Sequence, residues 1–339
     1  MTTTHPTAPA ARVPLNTLAI GFGLAGLASL WSVAETSLGA PAAIADALWI
    51  VAGVAWVWLL VAHALRGRRS ADRLVDQLRH PVQGPVAALA PVVGMLLGAR
   101  LHLVAPAAGT VLVLASIAVS AGFAGWILAQ WTRGGLDLDA VHGGYLLPTV
   151  ASGLVAAVAA ARIGLTALAI GAFAVGLVFW VVLFAVILAR LAARTPLPAP
   201  LVPTLAILVA PPAVAGAAWI AITGEVQGPA HDAFLALTVV LVLMQFALAP
   251  RFARLPFSLG FWSFTFPYAA AAGYLATEAA VTGAVVGVVA AWVLVAVGTA
   301  VILAIAARSL VPVVRGQGTA PIAPAPPGAV PAGAAPAAR

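Results

Sequence analysis

The sequence predicts an all-α polytopic membrane protein, with ten transmembrane helices arranged as five helical hairpins. Three observations predict it. The 339 residues are 63% hydrophobic and 7% charged, where a soluble chain carries roughly 25% charged residues. The apolar residues gather into ten runs long enough to cross a bilayer, a crossing that takes about 20 residues. The arginines fall almost entirely on one side of the topology those runs define.

The runs cover approximately residues 14–34, 42–65, 82–99, 107–131, 144–161, 165–190, 201–222, 232–250, 257–277 and 282–307. Only helices or closed barrels satisfy the backbone in lipid. Barrel strands alternate over about ten residues, whereas these runs are longer and evenly apolar. The first run begins near Leu15 behind a lead-in with only Arg12. It is long for the apolar region of a cleaved signal peptide and reads as a retained first helix. Residues 1–12 then form a short cytoplasmic N-terminus and 13–310 the ten-helix domain. Residues 311–339, rich in Ala, Pro and Gly, read as a disordered cytoplasmic tail.

The 16 basic residues are all arginine. With the N-terminus inside, 14 fall on inside segments, and Arg100 and Arg162 alone lie outside. The positive-inside rule therefore puts both termini in the cytoplasm of a multi-pass inner (plasma) membrane protein. Sixteen scattered arginines explain the net charge of +7 as topology rather than as a nucleic-acid surface. The cluster from Arg66 to Arg79 is placed to meet anionic lipid, although setting topology is explanation enough.

Odd-numbered spans begin near residues 14, 82, 144, 201 and 257, a degenerate repeat of a two-helix unit. The two members of each unit differ. Interior helix breakers segregate to the odd spans: Pro85 and Pro91 in the third, Pro148 in the fifth, Pro211 and Pro212 in the seventh, Pro267 in the ninth. The first span has Gly21, Gly23 and Gly26 instead. A helix broken in lipid must find protein or a wet cavity for its released backbone groups. The expectation is an inner ring of five kinked odd helices around a central pore, with five straighter even helices facing lipid. Gly21, Gly23, Pro91, Pro148, Pro211 and Pro267 are the candidate pore-lining or helix-breaking positions.

The nine acids lie in loops or at span ends, and no arginine falls at a span centre. Ion-coupled carriers usually bury an acidic or histidine relay, so facilitated passage is favoured. Broken helices direct positive dipole ends into such a path, which favours small anions. The chain has no Cys and no Walker motif, and its six His form no catalytic constellation. The reading is therefore not an enzyme, with no cofactor, no metal and no nucleic-acid partner. His80 and His142 fall at the cytoplasmic mouth without acidic or Cys partners at metal spacing, and hydrogen bonding to a helix end is their expected role. Asn16, Thr17, Thr149 and Ser152 lie on odd spans, placed either to wet the path or to glue helices.

Five segments, in order and spacing, carry a family resemblance. They are Pro14 to Gly26, His80-Pro81-Val82, Tyr145 to Ala151 preceded by His142, Pro203 to Pro212, and Phe257 to Pro267. Over about residues 12 to 310 the chain resembles the tellurite-resistance/dicarboxylate transporter family, which includes bacterial TehA-like proteins and plant guard-cell slow anion channels. The resemblance implies five hairpins around a pore and a homotrimer with one pore per subunit. It also implies a gated anion channel closed by a Phe side chain, or alternatively a C4-dicarboxylate, malate or tellurite-related transporter. The Trp-x-Phe-x-Phe pattern starting at Trp262 puts that gate on Phe266. An aromatic ring closes a narrow apolar pore by excluding water, and Pro267 follows directly, where a kink bears on the ring's movement.

Overall fold

The computed structural model describes residues 12–134 and 136–314, with side chains through residue 310. Most of the expected N-terminal segment and nearly all of the expected tail lie outside these residues. Within them the chain is helical, with no strand among the described residues.

The odd spans are α1 (Leu18–Leu38), α4 (Leu89–Leu101), α6 (Ser152–Arg162), α8 (Ala210–Thr223) and α10 (Thr265–Ala280). The even spans are α2 (Ala42–Arg69), α5 (Pro106–Thr132), α7 (Thr166–Ala193), α9 (Pro229–Ala253) and α11 (Val285–Val314), with a short α3 (Leu74–Arg79) before the third span. Even spans are single unbroken helices. Every odd span opens with a lead-in of another helical type before its α-helix. Four lead-ins are 3-10 segments: Leu15–Thr17, Gly84–Ala88, Ala199–Val209 and Leu259–Phe264. The fifth passes from a 3-10 turn at Gly143–Leu146 into a π-turn at Leu147–Ala151.

The prolines explain the changeover. Pro91, Pro211, Pro212 and Pro267 sit in the first turn of their α-helices, and Pro148 in the π-turn. In a first α-turn the missing N–H removes a donor with no intrahelical partner, so proline is tolerated there. The expected mid-helix kinks are thus junctions between two kinds of helix.

Burial separates the two sets. Of the most apolar stretch of each span, 61–83% is buried in the first, third, fifth and seventh spans and 17–28% in the even ones. Val54, Trp58, Val181, Phe246 and Val286 on the even helices face outward, as a lipid-facing surface requires. Each odd helix packs on the even helix that follows it. The odd helices also pack on one another: α1 on α4, α4 on α6, α6 on α8, α8 on α10, and α10 on α1. Among the described residues nine helices are long and apolar enough to span a membrane. The segment Leu259–Ala280 is not among them, because Ser263, Thr265, Tyr268, Tyr274 and Glu278 lower its hydropathy. It packs against α1, α8 and α11.

Small residues set these approaches. A Cβ on Gly153 would stand 2.8 Å from the Gly176 nitrogen of α7, and one on Gly98 would stand 2.8 Å from Val113 of α5. At the far end, where the odd spans finish, Arg100 of α4 pairs with Asp46 of α2 and lies 3.7 Å from Glu35 of α1.

Candidate functional site

At the end where the odd spans begin, a cavity of about 670 Å³ opens between them. Its wall comes from the five odd spans, their lead-ins and the segments just before them; no residue of α2, α5, α7, α9 or α11 takes part. The wall is mostly apolar. Asn16, Gln83, Thr204, Ser258 and Ser263 supply polar side chains, and among the described residues His80 and His142 are the only ionisable ones. Among the described residues no carboxylate and no arginine lines it.

Phe266 lies on this wall, in the first turn of α10, and is buried. Its ring stacks on Phe22 of α1 with centroids 3.7 Å apart and planes 15° from parallel. Phe22 lines the cavity too. The helices come this close because α1 has glycine where α10 crosses it. A Cβ on Gly26 would stand 3.0 Å from the Phe266 Cα. One on Gly23 would collide with the Thr265 hydroxyl and stand 2.9 Å from the Trp262 ring.

The other sequence candidates divide. Pro211 and Pro267 line the cavity with Phe266. Gly21 and Gly23 do not: they sit inside the continuous α1 and face Trp56 and Leu59 of α2, and Trp262 and Thr265, respectively. Pro91 and Pro148 mark helix junctions away from the wall. Asn16 reaches the cavity, and its buried Oδ1 has no hydrogen-bond partner among the described residues. Thr17, Thr149 and Ser152 do not line it. Thr17 Oγ1 donates to the Pro14 carbonyl at 2.7 Å, and Ser152 Oγ to the Leu147 carbonyl at 3.0 Å.

The two histidines secure the start of the third span. His80 Nδ1 lies 3.2 Å from the Val82 N–H and 3.3 Å from the Gln83 N–H and accepts from both. His142, buried, accepts the Gly144 N–H at Nδ1 (3.1 Å), which leaves Nε2–H to donate to the Val82 carbonyl at 3.2 Å. That tautomer is neutral. Burial pushes His142 down to about 4, with the Arg190 charge acting the same way and the Val82 bond opposing both. His80 is lowered by burial. No cluster of three or more His, Cys, Asp or Glu at metal-binding distance occurs among the described residues.

Phe22 and Thr204 are wall residues that the sequence does not single out. Phe22 stands between Gly21 and Gly23 in an apolar run, where one more aromatic carries no signal. Thr204 lies within one of the segments that carry the resemblance, but its position on the wall follows only from the 3-10 winding of Ala199–Val209.

A helical multi-pass membrane protein whose odd spans hold a largely apolar cavity is the class that fold and site define. The profile of the family described as SLAC1, voltage-dependent anion channel, matches residues 12–310, and the chain belongs to that family. Among curated relatives, the S-type anion channel SLAH3 of Arabidopsis thaliana is 30% identical over 189 residues, 55% of this chain and 29% of the relative. The guard cell S-type anion channel SLAC1 of the same plant is 31% identical over 144 residues, 42% of this chain and 25% of the relative. The chain thus aligns with between a quarter and three tenths of the length of these two relatives.

Proposed function

We propose that the chain is a gated anion channel, in which the five odd spans ring a permeation path and the Phe266 side chain closes it. The observation that carries this reading is the cavity itself: the odd spans and the segments leading into them line it, it has among the described residues no carboxylate to repel an anion or arginine to trap one, and an aromatic ring stands on its wall. A constriction of this kind closes by excluding water and opens when the ring turns aside. All five inner helices begin at the cavity, so the positive ends of their peptide dipoles favour an anion there. The family and its plant relatives, named as anion channels, support the same substrate class.

The arginine distribution supports a cytoplasmic position for the cavity mouth, with both termini on that side. The assembly expected from the resemblance is a homotrimer with one path per subunit, checked by the mass of the detergent-solubilised protein.

The test is current across a planar bilayer holding purified protein under a chloride gradient, wild type against Phe266→Ala. A weak wild-type current and a large one in the variant, with a reversal potential near that of chloride, is the expected result. Cation preference, or no current in either folded protein, overturns the channel reading. Saturable, pH-driven uptake would instead establish the dicarboxylate or malate carrier.

A further inference from the structure

We infer that Phe22 is the latch of the gate: its ring holds the Phe266 ring in the closed position, and Phe266 leaves the path by breaking that stack. The inference rests on the reading of Phe266 as the gate.

The geometry is specific. The two rings are near-parallel at 3.7 Å, both are buried, and both stand on the cavity wall. Phe22 and Gly26 are four residues apart and share one face of α1. That face receives Phe266 at both points. The ring meets Phe22, while the Phe266 Cα and Cδ2 lie 3.0 and 3.1 Å from where a Gly26 Cβ would be. The Phe266 backbone is therefore held against α1, and the freedom left to the gate is rotation of its side chain. The closed rotamer has the Phe22 ring face against it. Any rotamer that swings the ring away gives up that contact.

Phe22 is in this sense a positioning residue. It acts on the path through Phe266, so its effect must vanish when the Phe266 ring is absent. An ordinary packing residue would show no such dependence, and a separate obstruction in the path would act equally in both backgrounds.

The experiment is single-channel recording in planar bilayers of wild type, Phe22→Leu, Phe266→Ala and the double variant. Leu keeps apolar bulk beside Gly21 and Gly23 but has no ring face, which protects the fold; thermal unfolding in detergent checks that. Loss of one stacked aromatic pair corresponds to a rise of about 2- to 10-fold in the open-to-closed ratio. Phe22→Leu is expected to give that rise with Phe266 present and less than about a twofold change in the Phe266→Ala background, the coupling a double-mutant cycle reads. Equal effects in the two backgrounds, or a wild-type open ratio for Phe22→Leu while Phe266→Ala conducts, overturns the latch and leaves the gate standing. A silent Phe266→Ala removes the gate and the latch together.

Discussion

Gly23→Ala tests whether the close approach of α1 and α10 holds the gate shut. The added Cβ would stand 2.7 Å from the Thr265 Cβ and 2.9 Å from the Trp262 ring, where carbon atoms normally rest at about 3.5–4.0 Å. Neither neighbour yields easily. The Thr265 hydroxyl donates to the Trp262 carbonyl at 2.7 Å, and the Trp262 indole N–H donates to Ser309 Oγ of α11 at 3.0 Å. The helices must separate by about 1 Å, and overpacking of this kind costs about 1–3 kcal/mol. With an unfolding entropy of about 2.1 cal/mol/K per residue, a chain of 339 residues shifts by about 1–2 °C per kcal/mol, so the unfolding midpoint in detergent should fall by about 1–4 °C. The same separation moves the rings beyond their 3.7 Å contact, so chloride efflux from loaded liposomes should rise. Gly21→Ala is the control. Its Cβ meets nothing closer than 3.5 Å, and Ala is favoured over Gly in a helix by about 1 kcal/mol, so neither stability nor flux should fall. An unchanged midpoint and unchanged efflux in Gly23→Ala would refute the argument that this contact sets the gate.

Two further outcomes follow from buried polar groups. His142 folds neutral and takes a proton only near pH 4, while the unfolded chain takes one near 6.5. Between those values the unfolded state binds more protons, so stability falls as pH drops through that window and is flat above it. Midpoints measured from pH 7.5 to 4.5 should show this slope. His142→Gln should reduce it without abolishing it, because His80, which is also lowered, acts in the same direction. Gln245 of α9 donates to the Leu205 carbonyl at 3.1 Å and accepts the Tyr268 hydroxyl at 3.2 Å. Gln245→Leu strands both groups and should lower the midpoint by the equivalent of about 1–3 kcal/mol. A midpoint equal to wild type would show that neither bond bears on stability.

Much of this architecture is legible in the residues. Runs of twenty or more apolar residues locate the spans because lipid permits little else. The segregation of proline to alternate spans separates buried from exposed helices because a junction between helix types needs protein around it. Position along a helix is harder to read. Pro211 and Pro267 are as visible as Pro91 and Pro148, yet only the first two reach the cavity, because that depends on the winding of each lead-in. Gly21 and Gly23 suggest a break and instead mark where α2 and α10 approach α1. Phe266 stands out only through resemblance. Phe22 does not stand out at all, since a stack across 244 positions of chain is a property of the packed helices.

With Phe266 as the proposed gate, the bonds around α10 say what would move on opening. Its lead-in is tied to α11 through Trp262 and Ser309, and Tyr268 to α9 through Gln245. At the far end the Tyr274 hydroxyl donates to the His231 carbonyl at 3.1 Å, and His231 Nε2 lies 2.7 Å from Glu278 Oε2. The polar contacts hold α10 to even helices, while at Phe266 the contact with α1 is a ring on a ring. Tilting α10 would break several buried or part-buried hydrogen bonds, each worth about 0.5–1.5 kcal/mol net and more if a group is stranded. Turning one side chain forfeits a single stack of similar worth. The cheaper motion is the ring's, so opening should leave the helix in place. Amide hydrogen exchange across α10 checks this: protection in conducting Phe22→Leu should match wild type within about twofold. A loss of protection spreading from Thr265 to Ala280 would mean that the helix, rather than the ring, is the moving part.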